Sequence, residues 1–334
     1  MLRNKWIGLV FASLLTLGML TGCGGEAKNN SAKEAAVQSS TQTSSEGSGQ
    51  AATPAGALKF THAWGETELA GPAKKVVTLD FSFIDTMVAL GVMPVGNAGV
   101  SESRIPEYLQ DQITSDVVDV GERKAPNLEV IESVGPDLIL ASQDRHNMIK
   151  NELQDIAPTV ALDDNSYDEI LSNMDLIAKA VGKEEEAAKI RVELEKKVAE
   201  AKQQITGSPK VLVVGLFDDE FAVWLKDSFV GSLLTDIGVD YPLQGEKSEV
   251  EGKGEVLNMT LERLSEINPD YIFIYGDDLD KYKDNPLFKQ MTAVKEQHMI
   301  RVDRNIWSRG RGPIAANKIL DESISLLTGK SVQK

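Results

Sequence analysis

Asn127-Leu128-Glu129-Val130-Ile131-Glu132-Ser133-Val134-Gly135-Pro136-Asp137-Leu138-Ile139-Leu140 and Thr260-Leu261-Glu262-Arg263-Leu264-Ser265-Glu266-Ile267-Asn268-Pro269-Asp270-Tyr271-Ile272-Phe273-Ile274 read as two copies of one unit. In each, a glutamate stands seven residues before a Pro-Asp pair, and the pair opens an apolar run. The spacing predicts a short amphipathic helix capped by Asn127 or Thr260, stopped near the proline and followed by a buried strand. A helix–turn–strand unit that recurs 133 residues later points to two lobes of related build.

The neighbouring segments extend that reading. Val76-Val77-Thr78-Leu79 and Val211-Leu212-Val213-Val214 are valine-rich runs that open each lobe after a turn containing Pro72 or Pro209. Short apolar runs alternating with helical stretches imply an α/β fold, with parallel sheets covered by helices. Between the lobes, residues 183–205 are charged and alanine-rich, with Ala187, Ile190, Leu194, Val198, Ala201 and Ile205 at three-to-four spacing and no Pro or Gly. Gly182 separates this stretch from a preceding helix around Tyr167 to Val181. At 1.5 Å per residue it spans about 35 Å, enough to cross from one lobe to the other, although a surface helix has the same pattern. The expected segments are an N-terminal lobe over 57–182, a bridging helix over 183–205 and a C-terminal lobe over 206–334.

Ahead of the body, Arg3 and Lys5 precede an uncharged run from Trp6 to Leu20 and then Leu20-Thr21-Gly22-Cys23, whose cysteine is the only one in 334 residues. This is the layout of a secretory signal, too short to stay as a helix across ~30 Å of hydrocarbon. Its ending resembles the bacterial lipobox, which implies removal of residues 1–22 and lipidation (palmitate) of Cys23. An ordinary signal peptide with an incidental cysteine is the alternative. Residues 23–56 are mostly Ser, Thr, Gln, Gly, Ala and Asn, a composition that cannot offset chain entropy and predicts a disordered tether. Its reach is roughly 30 Å. A lipid anchor on such a tether suits the extracellular face of a cell membrane in a Gram-positive envelope.

Losing residues 1–22 removes Arg3 and Lys5 and no acid, so the formal charge moves from −16 to −18. A body this acidic is a poor nucleic-acid binder, and any basic cluster within it stands out. The chain has no zinc-finger pattern, Walker loop, G-x-S-x-G elbow or H-E-x-x-H. Its three histidines, His62, His146 and His298, are scattered and read as surface or packing residues. No nucleophile–His–acid set emerges, which argues against an enzyme such as a secreted α/β hydrolase. No ligand cluster suits direct binding of Zn or Mn, so no metal or cofactor of its own is expected.

Taken in chain order, several features resemble the class III solute-binding lipoproteins of ABC importers for iron–siderophores and cobalamin. They are the Cys23 lipobox, Pro72-Ala73-Lys74-Lys75-Val76-Val77, Ala89-Leu90-Gly91-Val92-Met93-Pro94-Val95-Gly96, the paired Glu…Pro-Asp units, the single long helix, and Asn285-Pro286-Leu287-Phe288 followed by Ala293-Val294-Lys295. The similarity runs over essentially all of residues 60–330. It implies two Rossmann-like lobes joined by a rigid helix, a ligand cleft between them and small opening motions. It also implies a monomer that works with a membrane permease dimer. By position, Glu129 and Glu262 match the family's docking glutamates, one per lobe, which pair with permease arginines. Each also suits the positive end of a helix, worth a few tenths of a kcal/mol.

The segment Arg301-Val302-Asp303-Arg304-Asn305-Ile306-Trp307-Ser308-Arg309-Gly310-Arg311-Gly312-Pro313 holds four arginines in eleven residues. Its glycines and proline predict a loop. Guanidinium binds carboxylate in a bidentate fork and keeps its charge when partly desolvated. The spacing of Arg304, Arg309 and Arg311 resembles the loop of receptors for citrate-containing carboxylate siderophores. Trp307 reads as a stacking partner for a guanidinium or a wall of the cleft. In the first lobe, Arg104, Arg123, Lys124 and Arg145 fall in loops beyond strand ends, where open α/β sheets present binding residues. In the second, Trp224 follows the loop after residues 211–216 and reads as a cleft aromatic or a core residue, and Tyr275 ends a strand. Surface pairing with the many acids is the competing reading for the arginines. The expected ligand is a ferric citrate-type chelate, with iron held by the chelator. A ferric hydroxamate, needing fewer arginines, comes next, and haem or cobalamin third.

Overall fold

The computed structural model describes residues 56–100, 104–245 and 255–329; Cys23, the signal segment and nearly all of the tether lie outside the described residues. A hairpin of β1 (Leu58–His62) and β2 (Gly65–Leu69) opens the described chain. The first large sheet contains β3 (Val76–Thr78), β4 (Gly96–Gly99), β5 (Val118–Glu122), β6 (Ala125–Pro126), β7 (Leu138–Ser142) and β8 (Thr159–Leu162), in the order β6-β5-β4-β3-β7-β8. All its pairings are parallel except the edge hairpin β5–β6. The second contains β9 (Val211–Phe217), β10 (Glu220–Trp224), β11 (Val256–Met259), β12 (Tyr271–Gly276) and β13 (Met299–Arg301), in the order β11-β10-β9-β12-β13. The chain is thus α/β, with two sheet-and-helix lobes.

The second sheet departs from the expected all-parallel arrangement. Only β9, β12 and β13 run parallel, while β10 and β11 are antiparallel. The cause is local. Asp218 takes a positive φ of 53° and turns the chain straight back from β9 into β10, leaving no room for a crossover helix. Trp224 therefore ends a strand and does not sit on a loop.

The repeated unit recurs in its hydrogen bonds. Helices Leu128–Val134 and Leu261–Ile267 end at Gly135 and Asn268, both left-handed, just before the prolines. The Pro-Asp carboxylates then grip the neighbouring strand entry. Asp137 accepts from the backbone N–H of Lys74 and of Lys75, each at 2.8 Å, and Asp270 from that of Lys210 at 2.8 Å. Each aspartate thereby sets the register of the parallel pair it opens, β3–β7 or β9–β12. Asn127 caps its helix as expected. Thr260 does not, because its hydroxyl is turned to the Glu262 carboxylate instead.

Between β8 and β9 run two helices. Tyr167–Val181 starts on a Ser166–Glu169 capping box and ends at left-handed Gly182, and Glu184–Gln204 follows. Helix Pro313–Thr328 packs against both and against Phe81–Ala89. One apolar core runs from Leu138, Leu140 and Val160 in the first sheet through Met174, Ile177, Ile319 and Leu320 to Leu212, Phe273 and Ile274 in the second. Asp85 on the first-lobe helix caps the start of Pro313–Thr328, accepting from the N–H of Ile314 at 2.9 Å and of Ala315 at 3.0 Å. Gly312, at φ +126°, passes so close that a Cβ there would lie 2.4 Å from the Asp85 carboxyl carbon, so only glycine fits.

Candidate ligand-binding site

The site is organised around Asp80, which follows β3 by two residues and caps helix Phe81–Ala89. Its side chain is fully buried. Oδ1 accepts from the Phe81 N–H at 2.7 Å and from Arg123 Nη1 at 2.7 Å, and Arg145 Nη1 lies 3.2 Å from Oδ2. Burial alone would raise this carboxyl, but Arg123, Arg145 and Arg311 outweigh it and hold it below the ordinary carboxylate range. Arg123, at the tip of the β5–β6 hairpin, also lies over the Phe81 ring, 4.6 Å from its centroid. Two guanidiniums thus share one carboxylate and keep donors to spare. Lys124, the other tip residue, is exposed, and the Asp80 contacts do not include it.

The second lobe faces this pair with the arginine segment. Its first half is not a loop. Asp303 caps a helical turn, Arg304–Trp307, accepting from the Asn305 N–H at 2.8 Å. That turn drives Trp307 into the core, fully buried edge-on to Phe273 at 5.0 Å, with its indole N–H donated to Glu322. The expectation that Trp307 walls the cleft is thereby corrected. Arg304 stays exposed, 4.5 Å over the Phe217 ring. Arg309 donates to the Asn305 side chain at 3.1 Å, and no described carboxylate hydrogen-bonds to it. Burial, then the neighbouring guanidiniums of Arg304 and Arg123, push its pKa down. The positive charge of Arg123 in the first lobe is thus felt at Arg309 in the second.

Arg311 behaves differently. It is buried and grips Glu255 in a fork, Nη1 to Oε1 at 2.8 Å and Nη2 to Oε2 at 2.5 Å, while Nη1 also donates to the Asp164 carbonyl at 3.0 Å. Burial would lower its pKa, and Glu255 with Asp164 more than reverses this. The end-on fork of this guanidinium is taken by Glu255, so in this structure Arg311 does not hold it open for a ligand as the sequence reading expects. Arg104 is likewise committed, to Asp119 at 2.9 Å and Glu122 at 2.7 Å along the β5 edge. Trp224 is buried on β10, donates to the Tyr275 hydroxyl at 2.9 Å and lies under Arg311 at 5.5 Å; Tyr275 is itself buried. These two aromatics floor the arginine cluster and do not stand free in the cleft. Glu129 and Glu262 are exposed in the first turns of the two repeated helices.

Asp80, Phe217 and His146 were not among the expected site residues. Asp80 had one visible signal, an acid between a strand and a helix start. His146 is fully buried and bonded to the backbone carbonyl of Arg123.

The family model described as periplasmic binding protein matches residues 76–306. The chain belongs to the periplasmic binding protein family. Among members of the family, it is 35% identical to YhfQ of Bacillus subtilis (strain 168), a lipoprotein named for ABC-transporter substrate binding, over 94% of this chain and 96% of the other. It is 31% identical to the Fe(3+)-citrate-binding protein YfmC of the same organism, over 92% of this chain and 93% of that one. The crystal structure of Staphylococcus aureus SirA complexed with staphyloferrin B superposes with a TM-score of 0.69 at 27% identity, covering 81% of this chain and 98% of that one. Periplasmic binding proteins of this kind serve transport and are not enzymes.

Proposed function

We propose that this protein is a lipid-anchored extracytoplasmic receptor that captures an anionic ferric chelate, ferric citrate or a citrate-type carboxylate siderophore, and delivers it to an ABC importer. One observation carries the reading: Arg304 and Arg309 are hydrogen-bonded to no described carboxylate, Arg309 feels the charge of both Arg304 and Arg123, and Arg123 with Arg145 pairs with Asp80. Four guanidiniums against the buried Asp80 and Asp164 carboxylates leave a surplus of positive charge in a chain of formal charge −16. A carboxylate-rich chelate satisfies that surplus through bidentate forks, whereas a neutral hydroxamate does not. The chelator keeps the iron, so the protein contributes no ligand to it. The exposed pair Glu129 and Glu262, repeated in both lobes, supports docking on a permease dimer, and the Cys23 motif supports the anchor. The name of YfmC, an Fe(3+)-citrate-binding protein, agrees with this reading, while the 28% identical FhuD of the same organism is named for an iron(3+)-hydroxamate.

The test is a titration of the purified body, followed by tryptophan fluorescence, with ferric citrate, a ferric hydroxamate, a ferric catecholate, haem and free metal ions. Saturable quenching strongest with ferric citrate or another carboxylate chelate supports the reading. Preference for the hydroxamate or haem, or no response to any anionic chelate, overturns it.

A further inference from the structure

His146 sits 23 residues from Arg123 in sequence and directly behind it in space. Its ring is fully buried and bonded at both nitrogens. The backbone N–H of Ser142 points at Nδ1 from 2.9 Å, and Nε2 lies 2.7 Å from the carbonyl oxygen of Arg123. An N–H can only donate and a carbonyl can only accept, so the two contacts fix the tautomer: Nδ1 bare, Nε2 carrying the proton. The ring thus braces two loops against each other. One is the β5–β6 tip that presents Arg123. The other, after β7, presents Arg145, whose Nη1 donates back to Ser142 Oγ at 3.2 Å.

We infer that His146 is a positioning residue: in its neutral Nε2–H form it holds the Arg123 backbone where the guanidinium reaches both Asp80 and the chelate. Protonating Nδ1 sets an N–H against the Ser142 N–H and breaks the brace at that end, leaving Nε2–H on the Arg123 carbonyl with nothing to fix the ring from behind. The charged groups acting on the ring are Asp80 at the helix start and Arg145 on the histidine's own loop, while Arg123 on the hairpin tip acts through its backbone carbonyl. Burial dominates among the influences on the ring and lowers its pKa below the ordinary histidine value. The brace therefore survives through neutral pH and fails only in acid. Without it, Arg123 keeps its charge but loses its fixed place, so the loss is expected in affinity for an anionic chelate before it is seen in folding.

This inference rests on the anionic-chelate reading, and the test separates the two. Ferric citrate is titrated into wild type, His146→Gln, His146→Leu, Arg123→Ala and the His146→Leu/Arg123→Ala double variant, from neutral to acidic pH. His146→Leu should weaken binding roughly tenfold. His146→Gln, whose amide N–H reaches the Arg123 carbonyl, should recover most of that and lose the wild type's steeper acid fall. In the Arg123→Ala background the leucine change should add almost nothing. Equal affinity of His146→Leu and wild type, or full additivity with Arg123→Ala, overturns the inference. If wild type binds no anionic chelate, the proposed function fails, and the brace is still read without ligand or variant. Nitrogen-15 NMR of labelled histidine should find His146 neutral with its proton on Nε2 at neutral pH. A proton on Nδ1 overturns the inference even if every variant misfolds.

Discussion

Arg309 and Arg311 are separated by one glycine, yet among the described residues only Arg311 is hydrogen-bonded to a carboxylate. Its forked pair with Glu255 is almost entirely shielded from solvent, side-chain exposure being 7% and 16%. Removing one partner of such a pair leaves an uncompensated buried charge, which costs about 3–5 kcal/mol. Arg311→Ala should therefore lower unfolding stability by about that amount in urea titrations, with ligand affinity affected only as far as the cleft loosens. An unchanged urea midpoint together with lost chelate binding would return Arg311 to the binding set. The sequence reading grouped the four arginines because composition and spacing reveal charge density but not its neutralisation. Glu255 is 56 residues from Arg311, and Asp80 is 43 from Arg123. Which guanidinium is spent and which is spare is decided by chain-distant carboxylates. Trp307 was misread for a similar reason, since the Asp303 cap that turns it inward looks like one more loop acid.

At the scale of elements, the repeated helix–turn–strand units were legible because their signals are local: a cap, an αL stop before proline, an acid that grips the adjacent strand. The antiparallel β10 and β11 were not, since a two-residue turn at Asp218 and Asp219 leaves no composition shift to read. Neither was the Asp85 cap, which joins residues 229 apart. Burial pushes the Asp85 carboxyl from 3.8 up to about 7, although the N–H groups of Ile314 and Ala315 and the Tyr108 hydroxyl at 2.7 Å all favour its charged form. Because the folded state keeps this proton up to about pH 7 while an ordinary carboxyl releases it near 3.8, Asp85 makes stability fall as pH rises between those values. Thermal unfolding of Asp85→Asn should lack that component and give a flatter profile from about pH 4 to about pH 7. A wild type whose stability rises across the same range, with Asp85→Asn following it in parallel, would contradict this. The two seven-residue helices that carry Glu129 and Glu262 make a separate prediction. Alanine at either glutamate should leave chelate affinity within about twofold and impair cellular uptake, most in the double variant. A tenfold loss of binding by a single variant would place that glutamate at the ligand instead.

The molecule as a whole is tied across its lobes by the shared apolar core, the Asp85 cap, the contact of Arg311 with the Asp164 carbonyl, and the 2.9 Å bond from Asn305 to Glu107. Rotating one lobe wide of the other exposes that core at about 25 cal/mol per Å² of apolar surface. Ligand should then change the radius of gyration in solution scattering by under about 1 Å, far less than a hinge that swings open. A change of several ångströms would mean that the core parts on binding. The central claim, that unspent arginines select a carboxylate chelate, is tested most directly by calorimetric titration of ferric citrate and a neutral ferric hydroxamate into wild type and Arg309→Ala. The expected loss with ferric citrate is ~1.5–3 kcal/mol, roughly ten- to hundredfold in Kd, with little change for the hydroxamate and partial recovery in Arg309→Lys. Equal ferric citrate affinity in wild type and Arg309→Ala, or an equal loss for both chelates, would contradict the claim.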